Sequence, residues 1–123
     1  VRRFRPGGQL DTTFGTDGSV DLPGQMFSAT GRVLAVDDLG RLWIARNSYA
    51  NIRQIRRLTP AGALDVSVPL IELDANFESG LRFDPVGAIV ADGSDVVLGH
   101  TITANSYIGI SHVRVSSDGV VTT

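Results

Sequence analysis

The chain has no cysteine, so a disulfide, a zinc–thiolate site and a thiol nucleophile are all excluded. It has no lysine either: its 11 basic residues are all Arg. Histidine occurs only at His100 and His112. No apolar run approaches the roughly 18 residues of a membrane-spanning helix, so membrane insertion is not expected. The formal net charge of −2 gives no long-range attraction to nucleic acid or to an anionic surface, and a nucleic-acid partner is not expected. Helical periodicity is missing as well, because no long window keeps apolar residues at i, i+3, i+4 and i+7. There is no initiating Met, and Val1 reads as a processed or trimmed start.

What is present is a folded composition with an internal repeat. Hydrophobic residues make up 42% of the 123 positions, which argues against wholesale disorder. Three stretches are near-copies: Arg3-Phe4-Arg5-Pro6-Gly7-Gly8-Gln9-Leu10-Asp11, Arg57-Leu58-Thr59-Pro60-Ala61-Gly62-Ala63-Leu64-Asp65, and Arg114-Val115-Ser116-Ser117-Asp118-Gly119-Val120-Val121-Thr122. The offsets are 57 − 3 = 54 and 114 − 57 = 57 residues. A period of that size marks a repeat architecture.

Short β-rich runs separated by Gly, Asp, Asn and Pro fill the intervals. Strands are expected at roughly 32–37, 41–47, 52–59 and 66–73, and again at roughly 87–91, 95–102, 107–115 and 119–122. Residues 1–5 and 18–22 read as the end of an earlier set. The stretch Val36–Ala45 aligns with Val90–Gly99, each with an Asp/Gly turn between apolar runs. Asn47-Ser48-Tyr49 and Asn105-Ser106-Tyr107 both fall between second and third strands, and the long connections carry Phe27 and Phe77.

The expected fold is therefore all-β: a partial β-propeller of about two and a half four-stranded antiparallel blades. Residues 1–22 would end a first blade, 32–73 form a second and 87–123 a third, all in one structural unit. An immunoglobulin-like sandwich would not repeat its own sequence at half its length.

Arg3, Pro6, Gly8, Leu10, Asp11, Thr13, Phe14 and Gly15 resemble the delta-60 repeat, a bacterial β-propeller repeat. Residues 57–65 resemble its first half, and the second copy then departs, with Val66-Ser67-Val68 where Phe-Gly is expected. Asp37–Ala45 is also similar to the hairpin of sensor-type propeller repeats. The resemblance implies an extracellular or cell-surface bacterial protein. It brings no catalytic residues with it.

A closed propeller needs about four blades or more. The expected partners are therefore further blades in the same chain, further copies of it, or a partner protein covering the open faces.

Each candidate residue has a plain alternative. The Gly8–Asp11 turn and its copies read as turn chemistry, with Gly supplying a positive φ and Asp accepting backbone N–H bonds. Asp11, Asp17 and Asp21 are a candidate calcium set, although their spacing is not that of an EF-hand and the set does not recur. No other cofactor is expected. Asp37-Asp38 and Asp92…Asp95 fall in hairpin turns expected to be exposed, where a shifted pKa is not expected. His100 and His112 would lie near one another if their strands pair across Ala104-Asn105-Ser106. Trp43 reads as a residue between blades. Arg53, Arg56 and Arg57 form a short basic cluster, and the recurrence of Arg57 suggests a fixed fork to a carboxylate or carbonyl.

The binding candidates are loop residues: Asn47, Ser48, Tyr49, Asn105, Ser106 and Tyr107, with Phe27 and Phe77. Tyr, Ser and Asn on a rigid scaffold suit recognition. The functional expectation is a non-catalytic binding or scaffold module acting through these loops. The alternative is a propeller enzyme, a hydrolase or lyase, whose site is completed by other blades or chains.

Overall fold

The computed structural model describes residues 1–22, 32–47, 52–74, 82–104 and 107–122. It contains two four-stranded antiparallel sheets and, among the described residues, no helix. The first sheet runs β1 (Arg32–Val36), β2 (Leu42–Asn47), β3 (Ile52–Leu58) and β4 (Ile71–Asp74) in that spatial order. The second runs β5 (Arg82–Asp92), β6 (Asp95–Ala104), β7 (Tyr107–Val115) and β8 (Val121–Thr122). Every strand pairs with its sequence neighbour, so each sheet is a simple meander. Neither sheet closes on itself.

Two strands differ most from the sequence expectation, and β8 starts at Val121 rather than near residue 119. β4 begins at Ile71 rather than near residue 66. The delay has a local cause: the Asp65 carboxylate accepts the Ser67 amide at 3.1 Å, folding 65–68 into a turn. Pro69 then follows, without an N–H to pair. β5 begins five residues early, at Arg82, and includes Pro85. It is an edge strand, and its register shifts between Phe83 and Val86 and again between Val86 and Ala88. Edge positions and irregularities are where a strand tolerates proline.

Residues 1–22 contain no named strand. They are held by isolated antiparallel bridges, Arg2 to Ser19, Phe4 to Leu10 and Thr16 to Ser19. The hairpin alignment also needs adjustment. Val36 pairs with Leu42, and Ala91 pairs with Val96, so Val36 corresponds to Ala91 and Asp37 to Asp92. The second hairpin is shorter by one residue, and the lost residue lies inside the turn.

Three layers stack in sequence order. Cross-strand partners project to one face, so each rung assigns its residues to a side. The side of the first sheet bearing Ile44 and Leu58 packs with Phe14, Val1, Val20 and Leu22 of residues 1–22. The opposite side, with Trp43, Ala45, Ile55 and Ile71, packs against Ile89, Val96, Leu98, Val113 and Val115 of the second sheet. Trp43 is wholly buried between the sheets. The far side of the second sheet is more open, with Val90 62% exposed.

Two of the three repeated glycines, Gly62 and Gly119, sit where the layers approach each other. Gly8, Gly62 and Gly119 have φ of +79°, +87° and +87°, the left-handed region. A Cβ on Gly62 would lie 2.7 Å from the Gly15 amide nitrogen and 2.9 Å from the Phe14 ring. On Gly119 it would meet Val68 Cγ1 at 3.1 Å, and on Gly8 it would meet nothing within 4 Å.

Alanine at these three positions should therefore destabilise in a fixed order. Gly8→Ala should cost only the left-handed backbone penalty, about 1–2 kcal/mol. Gly62→Ala should add about 1–3 kcal/mol of overpacking, with Gly119→Ala in between. Urea unfolding midpoints of the three variants check the order, and equal losses would show that the layers do not meet at these turns.

Candidate functional site

The most developed side-chain chemistry among the described residues is the set of contacts at the layer boundaries, and it is made twice. Arg57 is the penultimate residue of β3 and is only 3% exposed. Its Nε donates to Asp65 Oδ2 at 2.7 Å and its second terminal nitrogen to Ser67 Oγ at 3.0 Å. Its remaining nitrogen crosses to the next layer and donates to the Ser117 carbonyl at 2.5 Å. The guanidinium also lies 5.0 Å over the Trp43 ring.

Arg3 makes the same contacts one unit earlier. Its Nε donates to Asp11 Oδ2 at 2.9 Å, one terminal nitrogen reaches Thr13 Oγ1 at 3.5 Å, and the other donates to the Pro60 carbonyl at 2.5 Å. Its guanidinium lies 4.6 Å over the Phe14 ring. The acceptors Pro60 and Ser117 occupy the same place in successive turns. An arginine fork suits this work because it holds a carboxylate and a carbonyl at fixed angles at once.

Asp11 and Asp65 orient the two forks. Each accepts its arginine on Oδ2, while Oδ1 accepts both the amide and the hydroxyl of the residue two along. That residue is Thr13 in one copy and Ser67 in the other, with hydroxyl bonds of 2.6 Å in both. The Thr13 hydroxyl outweighs desolvation, and with the Thr13 amide and Arg3 it holds the Asp11 carboxyl at about 2, below the ordinary 3.8. The Ser67 hydroxyl, then Arg57, likewise lowers Asp65. The second copy thus keeps the working residues after Asp65: Ser67 replaces Thr13, and Val68 replaces Phe14 as the knob against the next turn. The sequence signal is an Arg followed eight residues on by Asp and ten on by Thr or Ser.

The third copy differs. Thr122 stands where Asp would be. Arg114 instead engages Asp95 Oδ2 at 2.9 Å and Asp92 within its own sheet. Asp95 also accepts the Ser117 amide at 2.9 Å, steadying the turn that receives Arg57.

The hairpin turns add a second tie between the sheets. Arg41 donates to the Ser94 carbonyl at 3.0 Å, and the Asp38 amide donates to the Gly93 carbonyl at 3.1 Å. The expectation that both aspartate pairs are exposed fails at Asp37, whose side chain is fully buried. Its oxygens accept the Leu39 and Arg41 amides, Arg41 Nε at 2.7 Å and Trp43 Nε1 at 2.9 Å. Burial pushes this carboxyl up, but Trp43 and the two Arg41 contacts more than offset it, so the net shift is downward. A carboxylate with four donors is a structural anchor, and it is held ionised.

The remaining candidates separate. Register pairs His100 with Ser111 and His112 with Gly99, so the two histidines are not cross-strand partners and sit one step out of phase. The basic cluster divides by strand alternation, with Arg56 on the side of residues 1–22 and Arg57 on the side of the second sheet. Asp11 is taken up by Arg3, Arg5 and Thr13. Asp17 and Asp21 line an open hollow of about 540 Å³ with Gly15, Thr16, Ser19, Val20 and Gly62. Among the described residues no three metal-ligating side chains come together.

Of the loop candidates, Asn47 ends β2, its backbone opposite Arg53, and Tyr107 opens β7 opposite Ala104. Ser48, Tyr49, Asn105, Ser106, Phe27 and Phe77 lie outside the described residues.

Arg57→Ala leaves a largely buried carboxylate and a carbonyl without their donor, and should cost about 3 kcal/mol by urea denaturation. Arg3 is 39% exposed, so Arg3→Ala should cost about 1 kcal/mol. The depressed carboxyls bind fewer protons folded than unfolded. Their stabilisation is therefore present above the ordinary carboxyl value of 3.8 and is lost as pH falls below it, for Asp11 toward about 2. The melting temperature should drop across that window, and an Asp11→Asn/Asp65→Asn variant should drop less steeply. An unchanged slope would place the acid sensitivity in other groups.

No family model, no curated protein and no solved structure matches this chain.

Proposed function

We propose that this chain is a non-catalytic scaffold of stacked β-units, of the propeller-blade kind, that presents its strand-connecting loops for recognition. One observation carries the reading: the same boundary, an arginine fork to the next turn's carbonyl with an apolar knob on its glycine, is made at Arg3 and again at Arg57. A boundary repeated in order is how blades or solenoid units are joined. It joins successive layers in one relation, so that equivalent loops would stand in equivalent places.

Those loops are the β2–β3 and β6–β7 connections, each bearing Asn-Ser-Tyr. Asn47-Ser48-Tyr49 and Asn105-Ser106-Tyr107 are the proposed contact residues, with Phe27 and Phe77 on the longer links. Aromatic and small polar residues on a rigid frame suit the recognition of another molecule at low entropic cost. The likeness to bacterial propeller repeats supports a secreted or cell-surface setting.

The reading requires the two tyrosines to be dispensable for folding. Tyr49→Ala/Tyr107→Ala should leave the unfolding free energy from urea denaturation within about 0.5 kcal/mol of the parent, as surface changes do. A loss of about 2 kcal/mol or more would mean that the rings pack into the fold, and would remove the loop face as a binding surface.

A further inference from the structure

The boundary between layers has two halves, and one of them is left over at the start of the chain. The receiving half consists of an apolar residue, a turn carbonyl two residues later, and a left-handed glycine two residues further on. It occurs three times: Phe4, Pro6 and Gly8; Leu58, Pro60 and Gly62; Val115, Ser117 and Gly119. In the second set Leu58 is fully buried with Phe14, Pro60 accepts Arg3, and Gly62 lies against Phe14. In the third set Val115 is fully buried, Ser117 accepts Arg57, and Gly119 lies against Val68. In the first set Phe4 is 58% exposed, nothing stands within 4 Å of a Cβ on Gly8, and no described residue donates to the Pro6 carbonyl.

We infer that Phe4, the Pro6 carbonyl and Gly8 form a docking socket for a polypeptide unit carrying the donor half of this boundary. That half is an Arg, an Asp eight residues on, a Ser or Thr two further, and then Phe or Val. The inference rests on the stacked-unit reading above and adds the chemistry of the occupant. The occupant is defined by what fills the two occupied sockets, residues 3–14 and 57–68. The tail of a second copy is the poorer fit. Its Arg114 lacks the Asp eight residues on and is already held by Asp92 and Asp95.

The test uses the full chain, labelled with nitrogen-15, and a synthetic peptide with the sequence of residues 57–70. Saturable amide shifts are expected at Phe4, Arg5, Gly7 and Gly8. The same peptide carrying Arg57→Ala should bind at least tenfold more weakly. Phe4→Ala in the chain, an exposed position whose loss leaves the fold intact, should weaken binding several-fold. The socket is refuted by the absence of a saturable shift up to millimolar peptide, by shifts centred elsewhere, or by equal binding of the Arg57→Ala peptide. Shifts of the same amides on concentrating the chain alone would assign the surface to self-association instead. The tyrosine variants are read independently of all these outcomes, so failure of the socket and failure of the loop face are distinguishable.

Discussion

The constraint on which the molecule depends is the guanidinium of Arg57. It is buried, and a buried cation requires compensation on every side. Asp65 neutralises it, Ser67 and the Ser117 carbonyl take its other protons, and Trp43 covers a face. The four partners come from three elements: the turn after β3, the turn between β7 and β8, and β2. Satisfying one side chain therefore fixes the spacing of two sheets. The apolar surfaces of those sheets supply the larger driving force, but hydrophobic contact is non-directional and would allow them to slide. The fork specifies one position.

The buried Asp37 performs the complementary task on the same first sheet. It gathers the β1–β2 turn around one carboxylate and holds the Trp43 indole by its N–H. Trp43 is thereby fixed at its edge by an anion and across its face by a cation. An aromatic ring held in both directions is a firm spacer between layers. Arg41 extends the arrangement outward, binding Asp37 and also the Ser94 carbonyl of the next sheet.

Much of this was legible in the sequence, and the limits are instructive. Alternating apolar runs and Gly/Asp turns located both four-stranded sheets, because strand period and turn chemistry are local properties. The start of β4 was not legible from propensity, since Val66-Ser67-Val68 favours a strand until Asp65 captures the Ser67 amide. Asp37 looked exposed because hairpin turns usually are. Its donors Leu39, Arg41 and Trp43 all lie within six residues, but turn propensity does not show that they close around its carboxylate. The recurrence of Arg57 pointed to a fork, yet its crossing to Ser117, 60 residues away, depends on tertiary stacking. The loop tyrosines could be named from their spacing alone, and their surroundings are a matter of the tertiary arrangement.

The acceptor of each fork is a main-chain oxygen, and this has an evolutionary consequence. The residue supplying it is Pro60 at one boundary and Ser117 at the other. Recognition reads the path of the backbone and ignores the side chain attached to it. A turn of the right shape is enough, so apart from its glycine and the buried apolar residue before it, the receiving loop is free to drift in composition without uncoupling the layers. The donor segments have no such latitude, because the arginine, the aspartate and the hydroxyl each contribute an atom. Divergence among the units should therefore accumulate unevenly, and a search for further members should weight the donor spacing over the turn.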